Sequence, residues 1–447
     1  MQVQGRTLAP PPSQDPSQRT PPKGVTKKGL LAALGPGLIT GASDDDPSGI
    51  ATYSQVGAQF GFGMLWTMLF SYPLMAGIQE ISALIGRVTG RGIAGNIRRH
   101  YPAWLLYGIV ALMLGANVIN IGADIGAMGA AASLLIPGPA LAFAAFFVLA
   151  SLALQIIAPY DRYTLVLKWL TLALFAYVAT VFVVHVPWEP ALRATVLPSF
   201  PWKTAGFLTG IVAVLGTTIS PYLFFWQAEQ EVEIEKANPK DRPLIRAPRQ
   251  APAQMQRIRV DTYVGMAFSN LVAFFIILTA AATLHAHGLT DVQTSTDAAA
   301  ALQPLAGRFA FLLFALGIIG TGLLAIPVLA GSAAYAVGEA LRWPVGLNRD
   351  MMQAKGFYGV LAAATLIGLA LNVHVGHFHI DPIKALFWSA VINGVVAGPI
   401  MIIMMLMASS GRVMGRFTIT GRQKFFGWLA TAAMLAAAVG LFATWGK

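Results

Sequence analysis

Three consecutive carboxylates and a proline, Asp44-Asp45-Asp46-Pro47, interrupt an apolar stretch long enough to cross a membrane. Ser43 precedes them, and Ser48-Gly49 follows. Pro47 removes a backbone donor and pushes the residue before it out of helical geometry. A helix therefore breaks here, freeing backbone carbonyls beside ionised oxygens. Carboxylates at membrane depth are costly and mark ion or proton paths. The plain alternative is a solvated turn between half-helices. It is disfavoured because residues 30–43 alone are too short to span. A second break stands at Thr217-Thr218-Ile219-Ser220-Pro221-Tyr222. By itself it reads as an ordinary proline kink. As a pair, the two breaks present carbonyl oxygens, half-helix ends and Asp46, a donor set suited to a hard cation.

The rest of the chain must place these breaks. Of 447 residues, 56% are hydrophobic and 11% charged, whereas soluble domains carry about a quarter charged. There are too few charges to clothe a soluble core of this size, so lipid must cover much of the surface. No cysteine is present, which excludes disulfides and thiolate metal sites. Apolar runs predict eleven spans, near 30–58, 65–87, 103–134, 138–158, 163–186, 204–231, 258–285, 307–340, 356–373, 382–409 and 424–445. Most of the 30 lysines and arginines fall in alternate connecting segments. This topology pattern puts the N-terminus in the cytoplasm and the C-terminus outside, and it explains the net charge of +11 without nucleic acid. Residues 1–29 read as a disordered cytoplasmic tail, and 30–447 as one transmembrane domain. Spans one and six hold corresponding places in two five-span halves, 30–186 and 204–409, followed by an extra helix at 424–445. Five is odd, so the halves are inverted. Paired broken helices in inverted repeats are the sequence pointer to a transporter's central site.

Gly35-Pro36-Gly37-Leu38, Asp46-Pro47, Gly57-Ala58-Gln59-Phe60-Gly61 and Leu65-Trp66 resemble the start of the NRAMP divalent-metal transporters. The likeness continues through Gln79-Glu80, Gly86-Arg87-Val88-Thr89-Gly90 and Ala123-Asp124. It implies an all-α polytopic LeuT-type fold with helices 1 and 6 broken, and a transported divalent cation rather than a bound cofactor. By this resemblance the metal site comprises Asp46, the Ser43 and Thr217 carbonyls, Gly49, Ser220 and Tyr222. The family's first-helix motif Asp-Pro-Gly-Asn is here Asp46-Pro47-Ser48-Gly49, without the asparagine. Its sixth-helix Met-Pro-His is Ser220-Pro221-Tyr222, without the thioether. Oxygen donors suit Mg²⁺, Ca²⁺ or Mn²⁺, and the smaller side chains leave room for a partly hydrated Mg²⁺. The sequence therefore looks most like the NRAMP-related magnesium branch. The family's proton-relay histidines fall at Tyr222 and Gln227, and its pair of acids in span three at Asp124 and Ala127. The expectation is weak or absent proton coupling, with a proton-coupled manganese and iron symporter as the alternative.

An ion or proton path is expected through Asp45, Glu80, Asp124, Gln227, Glu229 and Asn393, with Glu231 and Glu233 lining the inner vestibule. His374, His377 and His379 read as a solvated outer cluster. Met401, Met404, Met405 and Met407 read as lipid-facing or packing surface. Two rivals stand beside the metal carrier. An organic-solute symporter on the same fold conflicts with the acid run in its first break. An intramembrane aspartyl protease needs a Gly-x-Gly-Asp motif, and residues 121–124 read Ile-Gly-Ala-Asp. The chain reads as no enzyme, needing the bilayer and its ion but no obligate protein partner. A bacterial inner membrane is the expected location.

Overall fold

The computed structural model describes residues 36–157, 175–201, 204, 206–377 and 381–444. The expected tail, the link between spans four and five, and the side chains of the His374–His379 cluster fall outside what is described. The helices are α1 (Pro36–Asp44), α2 (Pro47–Phe60), α3 (Trp66–Thr89), α4 (Ile93–His100), α5 (Ala103–Ser133), α6 (Ala140–Ile157), α7 (Phe175–Val183), α8 (Trp188–Val196), α9 (Phe207–Thr218) and α10 (Pro221–Ala237). They continue as α11 (Ala251–Thr283), α12 (Ser295–Ala300), α13 (Gln303–Ala306), α14 (Ala310–Leu341), α15 (Lys355–His377), α16 (Pro382–Ala408), α17 (Gly411–Met414) and α18 (Gly421–Thr444). No strand occurs among the described residues.

Eight helical segments are long and apolar enough to cross a bilayer, with α9 and α10 counted together. The broken α1–α2, the shorter α6 and the described part of the fifth span, α7, complete the eleven. Both predicted breaks are present, for one local reason. Asp46 and Ser220 each precede a proline and are extended, at φ −69°, ψ 172° and φ −76°, ψ 131°. Pro47 and Pro221 then open α2 and α10 at the first helical position, where a missing donor costs nothing.

The helices form two packed groups. In one, α11 lies along α1, α2 and α3, while α10 packs on α3. In the other, α5 is surrounded by α6, α14, α15 and α16. The broken helices sit where the groups meet, α2 and α9 against α16 and α10 against α14. The approach of α9 to α16 depends on Gly216. A Cβ there would stand 2.0 Å from the Ala390 carbonyl oxygen. Met401, Met404, Met405 and Met407 are buried between helices, so the methionine group serves packing rather than lipid contact.

The basic end of the molecule carries the ion pairs. Arg87 pairs with Asp241 at 2.8 Å, Arg257 with Glu231, and Arg259 with Glu80 at 3.2 Å. Glu339, at the end of α14, accepts from the Gly92 and Gly95 amides at 2.9 and 2.7 Å and so caps α4.

Candidate metal centre

Asp46 caps α2. Its Oδ1 accepts from the Gly49 amide at 2.8 Å and from the Ser48 hydroxyl at 2.6 Å. A capping side chain satisfies an orphan helix donor, and a carboxylate also meets the positive end of the helix dipole. Its Oδ2 points the other way. It accepts from Asn120 Nδ2 on α5 at 2.9 Å and lies 3.5 Å from the Tyr222 hydroxyl on α10. The same hydroxyl donates to the Ser43 carbonyl at 3.0 Å. One carboxylate thus touches the first break, the second break and α5.

The other two acids of the run face elsewhere. Ser269 of α11 donates to Asp44 Oδ2 at 2.5 Å and lies 3.3 Å from Asp45 Oδ1. Asp124 stands one helical turn beyond Asn120, on the same side of α5. It is fully buried, and neither of its carboxyl oxygens has a hydrogen-bond partner among the described residues. Asp44, Asp45, Asp46 and Asp124 are all at most 2% exposed. Among the described residues, none forms an ion pair with a basic side chain. Burying several carboxyl groups without a cation is prohibitive, so this centre calls for protons or a metal ion.

Around Asp46 the donors are oxygen. Gly49 faces the second break directly, since a Cβ there would stand 3.1 Å from Thr217 Oγ1 and 3.3 Å from the Tyr53 ring. The Ser220 hydroxyl donates back to the Gly216 and Thr217 carbonyls, each at 2.8 Å. It therefore covers one of the expected carbonyl ligands and offers a cation only its lone pairs. Asn393 is buried on α16 with both amide atoms unpartnered among the described residues. It lies one turn beyond Ser389, whose hydroxyl donates to Asn120 Oδ1 at 2.7 Å.

The remaining path residues separate into two places. Gln227 is buried behind Tyr222 and accepts from the Thr40 hydroxyl of α1 at 2.5 Å. Glu80 and Glu229 lie toward the basic end and are engaged there. Glu80 accepts from Gln423 of α18 at 2.9 Å besides pairing with Arg259, and Glu229 meets Glu339. Glu231 and Glu233 are buried too, Glu233 held by Asn348 at 3.0 Å and Tyr335 at 3.3 Å. Both are engaged at that end, Glu231 by Arg257. Asn120 and Ser269 escaped the sequence reading. For Asn120 a signal existed: Asn117, Asn120 and Asp124 form a polar stripe at helical spacing in an apolar span.

Two helices broken at facing points beside the buried Asp46, in a bundle whose described residues include eight segments long enough to span, define an inverted-repeat membrane transporter of the LeuT type. Solved structures of the same architecture include a mutant of the Eremococcus coleocola manganese transporter, at TM-score 0.74 and 17% identity over 96% of this chain and 91% of that one. The same transporter in complex with an aromatic bis-isothiourea compound matches at TM-score 0.73. The sequence model for natural resistance-associated macrophage protein-like (Nramp) proteins matches residues 37–444, and the chain belongs to that family. A relative of nearly equal length is the divalent metal cation transporter MntH of Klebsiella pneumoniae, 26% identical over 92% of this chain and 94% of its own.

Proposed function

We propose that the protein carries a divalent metal cation across the bilayer by alternating access, with Asp46 as its principal charged ligand. The observation behind this is the set of buried carboxyl groups at the first break and on α5, with no basic partner among the described residues. A doubly charged ion supplies the missing positive charge. The backbone carbonyls freed at both breaks supply further oxygen. The relatives named for divalent metal and manganese transport support the same class of cargo.

Within that class the reading favours Mg²⁺, with Mn²⁺ also carried. Oxygen ligands without a thioether hold hard ions, and Ser220 stands where a softer donor would discriminate for later metals. Gly49 and Ser220 also present smaller side chains than the family resemblance implies at those positions, which suits an ion that keeps part of its water. Transport is proposed to be driven by the membrane potential, with little proton movement, because Tyr222, Gln227 and Ala127 occupy the positions where the family resemblance implies relay groups. One observation favours the runner-up, a proton-coupled manganese carrier: Asp124 is a buried carboxyl with no hydrogen-bond partner among the described residues, as a proton acceptor would be. Purified protein in liposomes with ion-sensitive and pH-sensitive dyes decides between them. Mg²⁺ entry without acidification supports the proposal. Mn²⁺ entry with acidification, and no Mg²⁺ transport or competition, supports the symporter.

A further inference from the structure

Away from the ion path, the basic end carries a concentration of positive charge that the transport reading does not use. The last turn of α4 is Arg98-Arg99-His100, and Arg412 on α17 stands across from it. Arg99, His100, Tyr101, Ser410 and Arg412 line a cavity of about 270 Å³. Arg99, His100 and Arg412 are exposed, and none forms an ion pair among the described residues. Every charged neighbour that acts on His100 is another arginine. Partial burial, then Arg99, Arg91 and Arg412, hold its imidazole below the ordinary histidine range. Elsewhere at this end Arg87, Arg257 and Arg259 each find a carboxylate. Among the described residues no carboxylate lines this cavity; Glu339, which caps the start of α4, acts on Arg91.

The position in depth indicates where the anion comes from. Trp104 follows the cavity by a few residues at the start of α5 and is 74% exposed, with Tyr107 one turn on at 53%. Exposed tryptophan and tyrosine at the end of a spanning helix mark the interface between headgroups and acyl chains. The cavity therefore opens at headgroup level. Guanidinium pairs bind phosphate in fork geometry, and the Tyr101 and Ser410 hydroxyls add neutral donors.

We propose that this cavity binds the phosphate-bearing headgroup of an anionic phospholipid in the leaflet facing the basic end. The occupant would tie α4, between spans two and three, to α17, between spans ten and eleven. Basic pockets between spanning helices at a membrane surface are the setting in which such headgroups are held.

The full chain in mild detergent is titrated with phosphatidylglycerol or phosphatidylcholine, and retained lipid is counted by native mass spectrometry. The wild type is expected to retain phosphatidylglycerol in preference, and to lose that preference as salt rises. Each basic residue at a membrane surface contributes roughly a fivefold effect, so Arg99→Gln with Arg412→Gln should weaken phosphatidylglycerol retention by roughly 25-fold. Arg242→Gln with Arg249→Gln removes equal charge from outside the cavity, without contact to the bound headgroup, and should weaken retention clearly less than the cavity pair does. Equal loss in the two double variants, or no preference between the lipids in the wild type, overturns the site. Complete displacement of the lipid by millimolar inorganic phosphate also overturns it, since the cavity would then hold a soluble anion. Should the Arg99–Arg412 variant fail to fold, the salt dependence of the wild-type preference decides by itself. The readout is independent of which side of the membrane the basic end faces and of any ion flux.

Discussion

Replacing Asp46 by asparagine removes one charge at nearly constant volume, and the structure separates what this does to folding from what it does to ion binding. Asparagine is as good a helix cap as aspartate, so the bond from the Gly49 amide survives. On the other oxygen, the new amide group would face Asn120 Nδ2, now 2.9 Å from the carboxylate. Two opposed donors cost about 1–3 kcal/mol if nothing moves. Asn120 can turn its amide over, because its present partner is a hydroxyl, that of Ser389. The loss of fold stability should therefore fall at the low end of that range. Ion binding has no such remedy. A unit charge 4 Å from a divalent ion contributes about 8 kcal/mol of Coulomb energy at an effective dielectric constant of ~20. Shedding water from ion and carboxylate offsets most of it. An expected net loss of about 1.4–4 kcal/mol corresponds to roughly tenfold to thousandfold weaker binding. The measurement is Mg²⁺ and Mn²⁺ flux into proteoliposomes against concentration, alongside metal-free melting curves for both proteins. Wild-type flux from a folded Asp46→Asn protein would refute Asp46 as the ligand and the placement of the ion between the breaks.

Four further outcomes are expected. Ser220→Met with Gly49→Asn should shift preference toward Mn²⁺ and Cd²⁺ and lower Mg²⁺ flux, at a stability cost of about 1–3 kcal/mol because the asparagine Cβ presses on Thr217 and Tyr53. Wild-type liposomes should show no inward proton movement during Mg²⁺ entry, read with an entrapped pH dye; acidification in step with the metal would show that Asp124 suffices as a relay. Since the chain has no native cysteine, single cysteines at residue 20 and at 242 should escape an impermeant thiol reagent applied outside cells, and labelling at either would reverse the topology. Gly216→Ala should lower the melting temperature by the equivalent of about 1–3 kcal/mol, since its methyl would occupy the space of the Ala390 carbonyl.

The spans and both breaks were legible because the signals are local. Hydrophobic runs long enough to cross a bilayer, and a proline following a polar residue within one, act through backbone geometry alone. That Asp46, the Ser43 carbonyl and Tyr222 come together was legible for the same reason, since they belong to the breaks themselves. What surrounds the break was not. Asn120 meets Asp46 only because α5 crosses behind α2, and Ser269 meets Asp44 across a sequence separation of 225 residues. Glu80 has neighbours that its own segment does not announce. A carboxylate in an apolar span suggests an ion path, and Arg259 and Gln423 arrive from α11 and α18 to contact it. Sequence spacing gives the side of a helix on which a residue lies. Which neighbour lies there depends on how the two groups of helices dock.

Three ion pairs occur among the described residues, and all three gather at the basic end. A carrier made of inverted halves has, in its ideal form, two closed arrangements related by that inversion and equal in energy. The real molecule is weighted. Fastening α3 to α11 and α18 through Glu80, α10 to α11 through Glu231, and Arg87 to Asp241 favours shutting one end over the other. Even about 0.5 kcal/mol from each of three partly exposed pairs makes roughly a tenfold imbalance between the two closures. In the alternating-access carrier proposed above, these pairs would tilt the empty molecule toward a rest state closed at its basic end.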